Sequence, residues 1–135
     1  KKRKNAFTGY FEKESPHTDL VIKHCQTSDE AKKIIAAELK KPSHPDMVFC
    51  MSDEILVGVM RCLIKSSLSI PKDIAVLAIS NGFIPGLFNP EITYIETSGY
   101  QLGKLAIKRM MEYMEGNPDH KSIILSSRLV EGGSL

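Results

Sequence analysis

Residues 74–80 read IAVLAIS, an unbroken run of β-branched and aliphatic side chains. No polar position alternates through it, so both faces must be covered, as in the middle strand of a parallel sheet with helices above and below. Shorter stretches repeat the signal: LVIKH (Leu20–His24), MVFC (Met47–Cys50), ITYIE (Ile92–Glu96) and SIILSSRLV (Ser122–Val130) read as strands. Helical segments separate them. The first runs from Lys4 to about Lys13, with Ala6, Phe7, Tyr10 and Phe11 on one face, and PHTD breaks it. The second opens at Gln26-Thr27-Ser28-Asp29, with Thr27 or Ser28 as N-cap, and continues to about Lys40. Strands alternating with helices at this spacing predict an α/β fold: a three-layer parallel sheet with helices on both faces.

The third helix, Asp53 to about Lys65, carries Ile55, Leu56, Val57, Val59, Met60, Leu63 and Ile64 nearly all round. A helix apolar on most sides must be covered on most sides. The sheet covers one, and a partner surface is expected for another. Asn81–Pro90 (NGFIPGLFNP) reads as an irregular loop, yet it holds Phe83, Ile84, Leu87 and Phe88, which again asks for a partner. Gly99 to about Glu115 reads as an amphipathic helix with Leu102, Leu105, Ala106, Met110 and Met114 on one side.

Composition narrows the function classes. The 135 residues are 42% hydrophobic and 25% charged, an ordinary globular balance for a single domain. A net charge of +2, from 18 basic and 16 acidic residues, creates no field to draw in nucleic acid. The opening KKRK reads as a solvated helix start rather than a DNA-binding arm. Cys25, Cys50 and Cys62 lack metal spacing, and the last two sit in apolar runs, as buried thiols of a reducing compartment do. His17, His24, His44 and His120 show no ligand spacing, and neither a nucleophile elbow nor a phosphate loop is present. The six methionines read as core or interface filler. No metal and no cofactor are expected, nor is a membrane partner, since no apolar segment has membrane length. The chain begins without Met, so a piece of a longer protein is expected.

In parallel sheets, ligands bind beyond the carboxyl ends of the strands. Ser52 and Asp53 follow one predicted strand, and Ser80 and Asn81 close another. Asp53 reads first as a helix cap and second as a ligand contact. Ser52 reads either as a ligand contact or as a turn hydroxyl. Asn81 offers an acceptor and two donors, or else starts a turn with Gly82. Gln26 and Thr27 lie at the same predicted rim.

An ordered series of short motifs resembles the lactose-repressor/galactose-repressor (LacI/GalR) family of transcription regulators, in the C-terminal part of its periplasmic-binding-protein-like core. Ser52-Asp53-x-x-Leu56-x-Gly58 resembles the family's polar-Asp-x-x-Ala-x-Gly. Ile70-Pro71-Lys72-Asp73-Ile74-Ala75-Val76 resembles its Val/Ile-Pro-x-Asp-Ile/Val-x-Val, with Ser80-Asn81 at its Asp/Ser-Asp/Asn. Asn89 to Ile95, Gly103-x-x-Ala106 and Leu129 to Ser134 follow in the family's order, over about two thirds of the chain.

The resemblance implies a C-terminal lobe over residues 1–95, a crossover helix over 96–120 that packs on an N-terminal lobe, and a returning strand over 121–135. Without that lobe, the helix is expected to fold back or to dock on a neighbouring copy. It also implies a cytoplasmic regulator that binds a small polar effector, a sugar or sugar derivative, between two lobes. Operator DNA would be reached only through a headpiece that has no counterpart here. Ser52 and Ser80 match ligand-facing positions, although many members carry an aspartate at the latter. Ala6 stands where members often place an effector-clamping arginine, with Arg3 and Lys4 out of register, which weighs against a carboxylate or standard sugar. Gly99 replaces an aromatic found in some members. A homodimer through Val57, Met60, Ile64, Phe83, Leu87 and Phe88 is expected, because a two-fold axis would use one apolar patch twice. The alternative is a solute-binding protein of a sugar transport system. A small α/β enzyme has no supporting motif.

Overall fold

A computed structural model describes residues 2–15, 17–116 and 122–135, with side chains from residue 4 onward. Lys1, Pro16, His120 and the predicted boundary at 120–121 fall outside the described residues, as does the Arg3 side chain. The elements are α1 (Lys2–Glu14), α2 (Ser28–Glu38), β1 (Met47–Cys50), α3 (Asp53–Leu63), β2 (Ala75–Ser80), β3 (Thr93–Glu96), α4 (Gly99–Met114) and β4 (Arg128–Val130).

The four strands form one sheet in the order β1-β2-β3-β4. The first three run parallel, pairing Cys50 with Ala78 and Ala78 with Tyr94, while β4 runs antiparallel to β3. The α/β architecture is as expected, with an antiparallel edge strand added. Side chains from Val48, Cys50, Val76, Ala78 and Tyr94 share one face. There they meet Ile35 of α2 and Leu56, Val59, Met60 and Leu63 of α3 in the main core. Phe49 points to the other face and meets Phe7 of α1, ring centroids 5.0 Å apart. β2 buries alternate residues fully and the rest partly, so its second face is covered less completely than its composition predicts.

The α3 helix gets most of its cover from within the chain. On the α2 side, a Cβ at Gly58 would collide with the Ser28 carbonyl oxygen and reach within 2.8 Å of the Ala31 Cβ, so only glycine allows this approach. One turn either side, Ser28 N donates to Glu54 Oε1 (2.6 Å) and Arg61 Nη1 donates to Asp29 Oδ1 (2.7 Å). The Ser28 backbone N–H, and after it the Ser28 side chain, hold the exposed Glu54 carboxyl below its usual range. Met60, expected at a dimer interface, is only 1% exposed and belongs to the core.

Two strand expectations and one loop expectation need correction. Leu20–His24 forms no strand; it carries the exposed Lys23 and His24, and Lys23 lies 3.0 Å from Glu38. Of Ser122–Val130, only the last three residues form a strand, because β3 ends at Glu96 opposite Arg128 and offers no partner beyond it. The Asn81–Pro90 loop is not wholly irregular, since Pro85–Leu87 makes one 3-10 turn. The α4 helix formed as expected but has no buried residue, so it does not fold back on the lobe. Among the described residues, no helix is long and apolar enough to cross a membrane.

Candidate functional site

Because β1, β2 and β3 are parallel, their carboxyl ends open on one edge of the sheet. Cys50 pairs with Ala78, so Ser52 and Ser80 emerge side by side rather than at opposite ends. Helices α3 and α4 begin just past β1 and β3, so their amino termini face this edge.

Polar side chains there fasten the loops. Ser52, in extended backbone, caps α3 by accepting from Ile55 N at 3.4 Å. This corrects the expectation for Asp53, which sits inside the first turn. Its carboxylate favours the helix dipole there, while its buried Oδ1 has no hydrogen-bond partner among the described residues. Thr27 caps α2 by accepting from Glu30 N at 3.2 Å, and Glu30 in turn accepts from Gln26 N at 2.8 Å. That reciprocal arrangement is close to a capping box. Both Gln26 and Thr27 are exposed.

Ser80 is buried, and its Oγ accepts from Gly82 N at 3.0 Å. Asn81 is exposed, with Oδ1 accepting from Phe83 N at 3.2 Å, the turn its Asn-Gly pair suggested. Its amide donors remain available to a ligand. Gly82 has φ +101, and a Cβ there would press on the Tyr94 hydroxyl.

Four residues at this edge escaped the sequence reading. Ser98 caps α4 by accepting from Gln101 N at 3.2 Å, and Thr97 N donates to Ser80 O at 2.9 Å. The Thr-Ser pair ahead of Gly99 is the signal that would have found the cap. Glu96 and Arg128 stand opposite one another on β3 and β4, with Arg128 Nε donating to Glu96 Oε2 at 2.5 Å. The carboxylate raises the guanidinium's pKa further. Nothing within either strand announces that pair, since it needs the register.

All three cysteines are free thiols. Burial, with Cys25 close by, pushes the Cys50 thiol up to about 12, so it stays protonated at neutral pH. Among the described residues, no group of three or more His, Cys, Asp or Glu side chains is placed to hold a metal.

The expected dimer residues divide. Phe83, Leu87 and Ile64 are 69%, 62% and 68% exposed, whereas Val57 and Phe88 are half-buried.

The family described as periplasmic binding protein-like domain matches residues 1–135. The chain is similar to the HTH-type transcriptional regulator RegA of Clostridium acetobutylicum, at 28% identity over 90 residues, which are 66% of this chain and 27% of that protein. Two solved structures share the fold. A LacI family transcriptional regulator from Arthrobacter sp. FB24, in complex with lactose, has 22% identity and a TM-score of 0.84, over 96% of this chain and 49% of that one. The dimeric Lac repressor with an 11-residue C-terminal deletion has 17% identity and a TM-score of 0.86, over 98% and 48%. The chain thus spans about a quarter of the curated relative's length and about half of each solved chain.

Proposed function

The chain belongs to the periplasmic binding protein-like domain family, as an effector-binding part of LacI/GalR type, and from that premise we propose that it senses a small polar molecule for a DNA-binding transcription regulator. It is a binding module of the cytoplasm, not an enzyme. The effector, a sugar or sugar derivative, sits between this lobe and an N-terminal one. Ser52 and Asn81 offer it donors, with Gln26 and Thr27 at the rim. Ser80 contributes through the shape of its turn, since it is buried, and Asp53 supplies a carboxylate from the first turn of α3.

The observation that carries this reading is the shared edge: Ser52, Ser80 and Asn81 at neighbouring strand tips, with the amino ends of α3 and α4 facing the same way. The bare α4 supports the rest. Residues 1–95 act as the C-terminal lobe, 96–120 cross to the N-terminal lobe where α4 packs, and 121–135 return. Effector binding shifts the closure of the two lobes, and a coupling of about 1–3 kcal/mol moves headpieces on operator DNA. The regulator works as a homodimer. The matched relative is a transcription regulator rather than a transport protein, which favours this reading over delivery of a solute.

Thermal shift of the full-length protein against a carbohydrate panel tests it. A ligand at a hundredfold excess over its Kd adds about 2.7 kcal/mol, a shift of several degrees. Asn81→Ala should shrink the shift while leaving the unliganded melting point within about a degree or two. Ser52→Ala should shrink it and also lower the unliganded melting point, because it removes the α3 cap at about 0.5–2 kcal/mol. A panel without a single stabilising sugar would sink the sugar reading.

A further inference from the structure

The two ends of the β3–β4 pair are held differently. At the end away from the candidate site, buried Ser134 accepts from Thr93 N (2.8 Å) and donates to Val76 O (2.6 Å). Gly132 N donates to Thr93 Oγ1 (2.9 Å) and Gly133 N to Glu91 O (2.8 Å), so the C-terminal segment is bonded to the sheet through the core. At the other end, both strands leave the lobe. After Glu96 the chain runs through Thr97 and Ser98 into the bare α4, and before Arg128 residues 122–127 are exposed, with Ile124 90% accessible. The last register position joining these departing strands is Glu96 opposite Arg128. Ser80 lies in the same row, since it pairs with Glu96, and its carbonyl accepts the next N–H, Thr97.

We infer that the Glu96–Arg128 ion pair is an electrostatic clasp on the root of the crossover, fixing how the departing strands leave the lobe beside the Ser80 tip. One end of the β3–β4 pair is therefore secured by buried hydrogen bonds and the other by a charge pair that salt can weaken. The clasp rests on the proposed crossover of residues 96–120, but its test needs no effector, so its failure and that of the effector reading are told apart.

Hydrogen exchange by mass spectrometry on the full-length protein reads it, in peptides covering 92–99 and 127–131. E96Q and R128Q should each speed exchange there by about threefold, the scale of a partly exposed cross-strand pair. Peptides over 75–80 should not change. The reversed pair, E96R with R128E, should restore slow exchange, and salt at roughly 0.5 M should bring the wild type towards the single variants. Single variants that exchange like wild type would overturn the clasp, as would a reversed pair as fast as the singles. Loss of protection over 75–80 as well would overturn it too, by showing that the pair holds the fold and not the crossover.

Discussion

At Gly58 a hydrogen atom decides how two helices meet. The Ser28 carbonyl and the Ala31 methyl already occupy the space a Cβ would need, and backbone cannot yield as a flexible side chain can. Gly58→Ala should destabilise the protein by about 1–3 kcal/mol, the usual cost of overpacking, and lower its melting temperature by several degrees. Unchanged melting would mean that α2 and α3 separate without loss. The glycine was visible in the sequence as part of a motif, but its reason was not, because its neighbour lies 30 residues away in the chain. Ser52 and Asp53 show a similar limit. Both are good N-cap residues, and only the extended backbone at Ser52 shows which one caps. The Asn81 turn is easier to read, since Asn-Gly acts on its own backbone and needs no distant partner, whereas the α2 cap stays open between Thr27 and Ser28 until Thr27 is seen accepting from Glu30 N.

Elements were legible to the extent that local signals define them. Helices α2 and α3 carry caps and a 3.6-residue period, α4 carries the period, and β1 and β2 are apolar runs bounded by turns; all appear within a few residues of their expected limits. Leu20–His24 and residues 122–127 have similar composition but no strand partner among the described residues, and a strand exists only in a pair. The apolar face of α4 reports the same dependence from the helix side. Since none of its residues is buried here, Leu102→Glu with Met110→Glu should leave the melting of this lobe within about 0.5 kcal/mol of wild type. The same change in the full-length protein should loosen the two lobes, seen as faster proteolysis of the crossover. A large loss of stability in the lobe alone would show that α4 packs on it after all.

The assembly depends on which apolar surface remains once the core is complete. The all-round apolar character of α3 suggested an interface along the helix, but α2 and the sheet claim Leu56, Val59, Met60 and Leu63. Of the residues expected at a dimer interface, those left exposed are Ile64 at the C-cap of α3, together with Phe83 and Leu87 on the loop after β2. Exposed aromatic and aliphatic side chains of this size cost solvation unless something covers them, and the two-fold axis of the proposed homodimer would cover each with a copy of the same patch. Phe83→Glu with Leu87→Glu should therefore halve the sedimentation mass of the full-length protein and leave its far-UV spectrum intact, because neither residue is in the core. Met60→Glu should behave differently: a carboxylate placed among Leu56, Val76 and Ile92 cannot be solvated or paired, so the protein should unfold. A folded Phe83/Leu87 variant that keeps the wild-type mass would move the interface elsewhere, and a folded monomeric Met60 variant would return α3 to it.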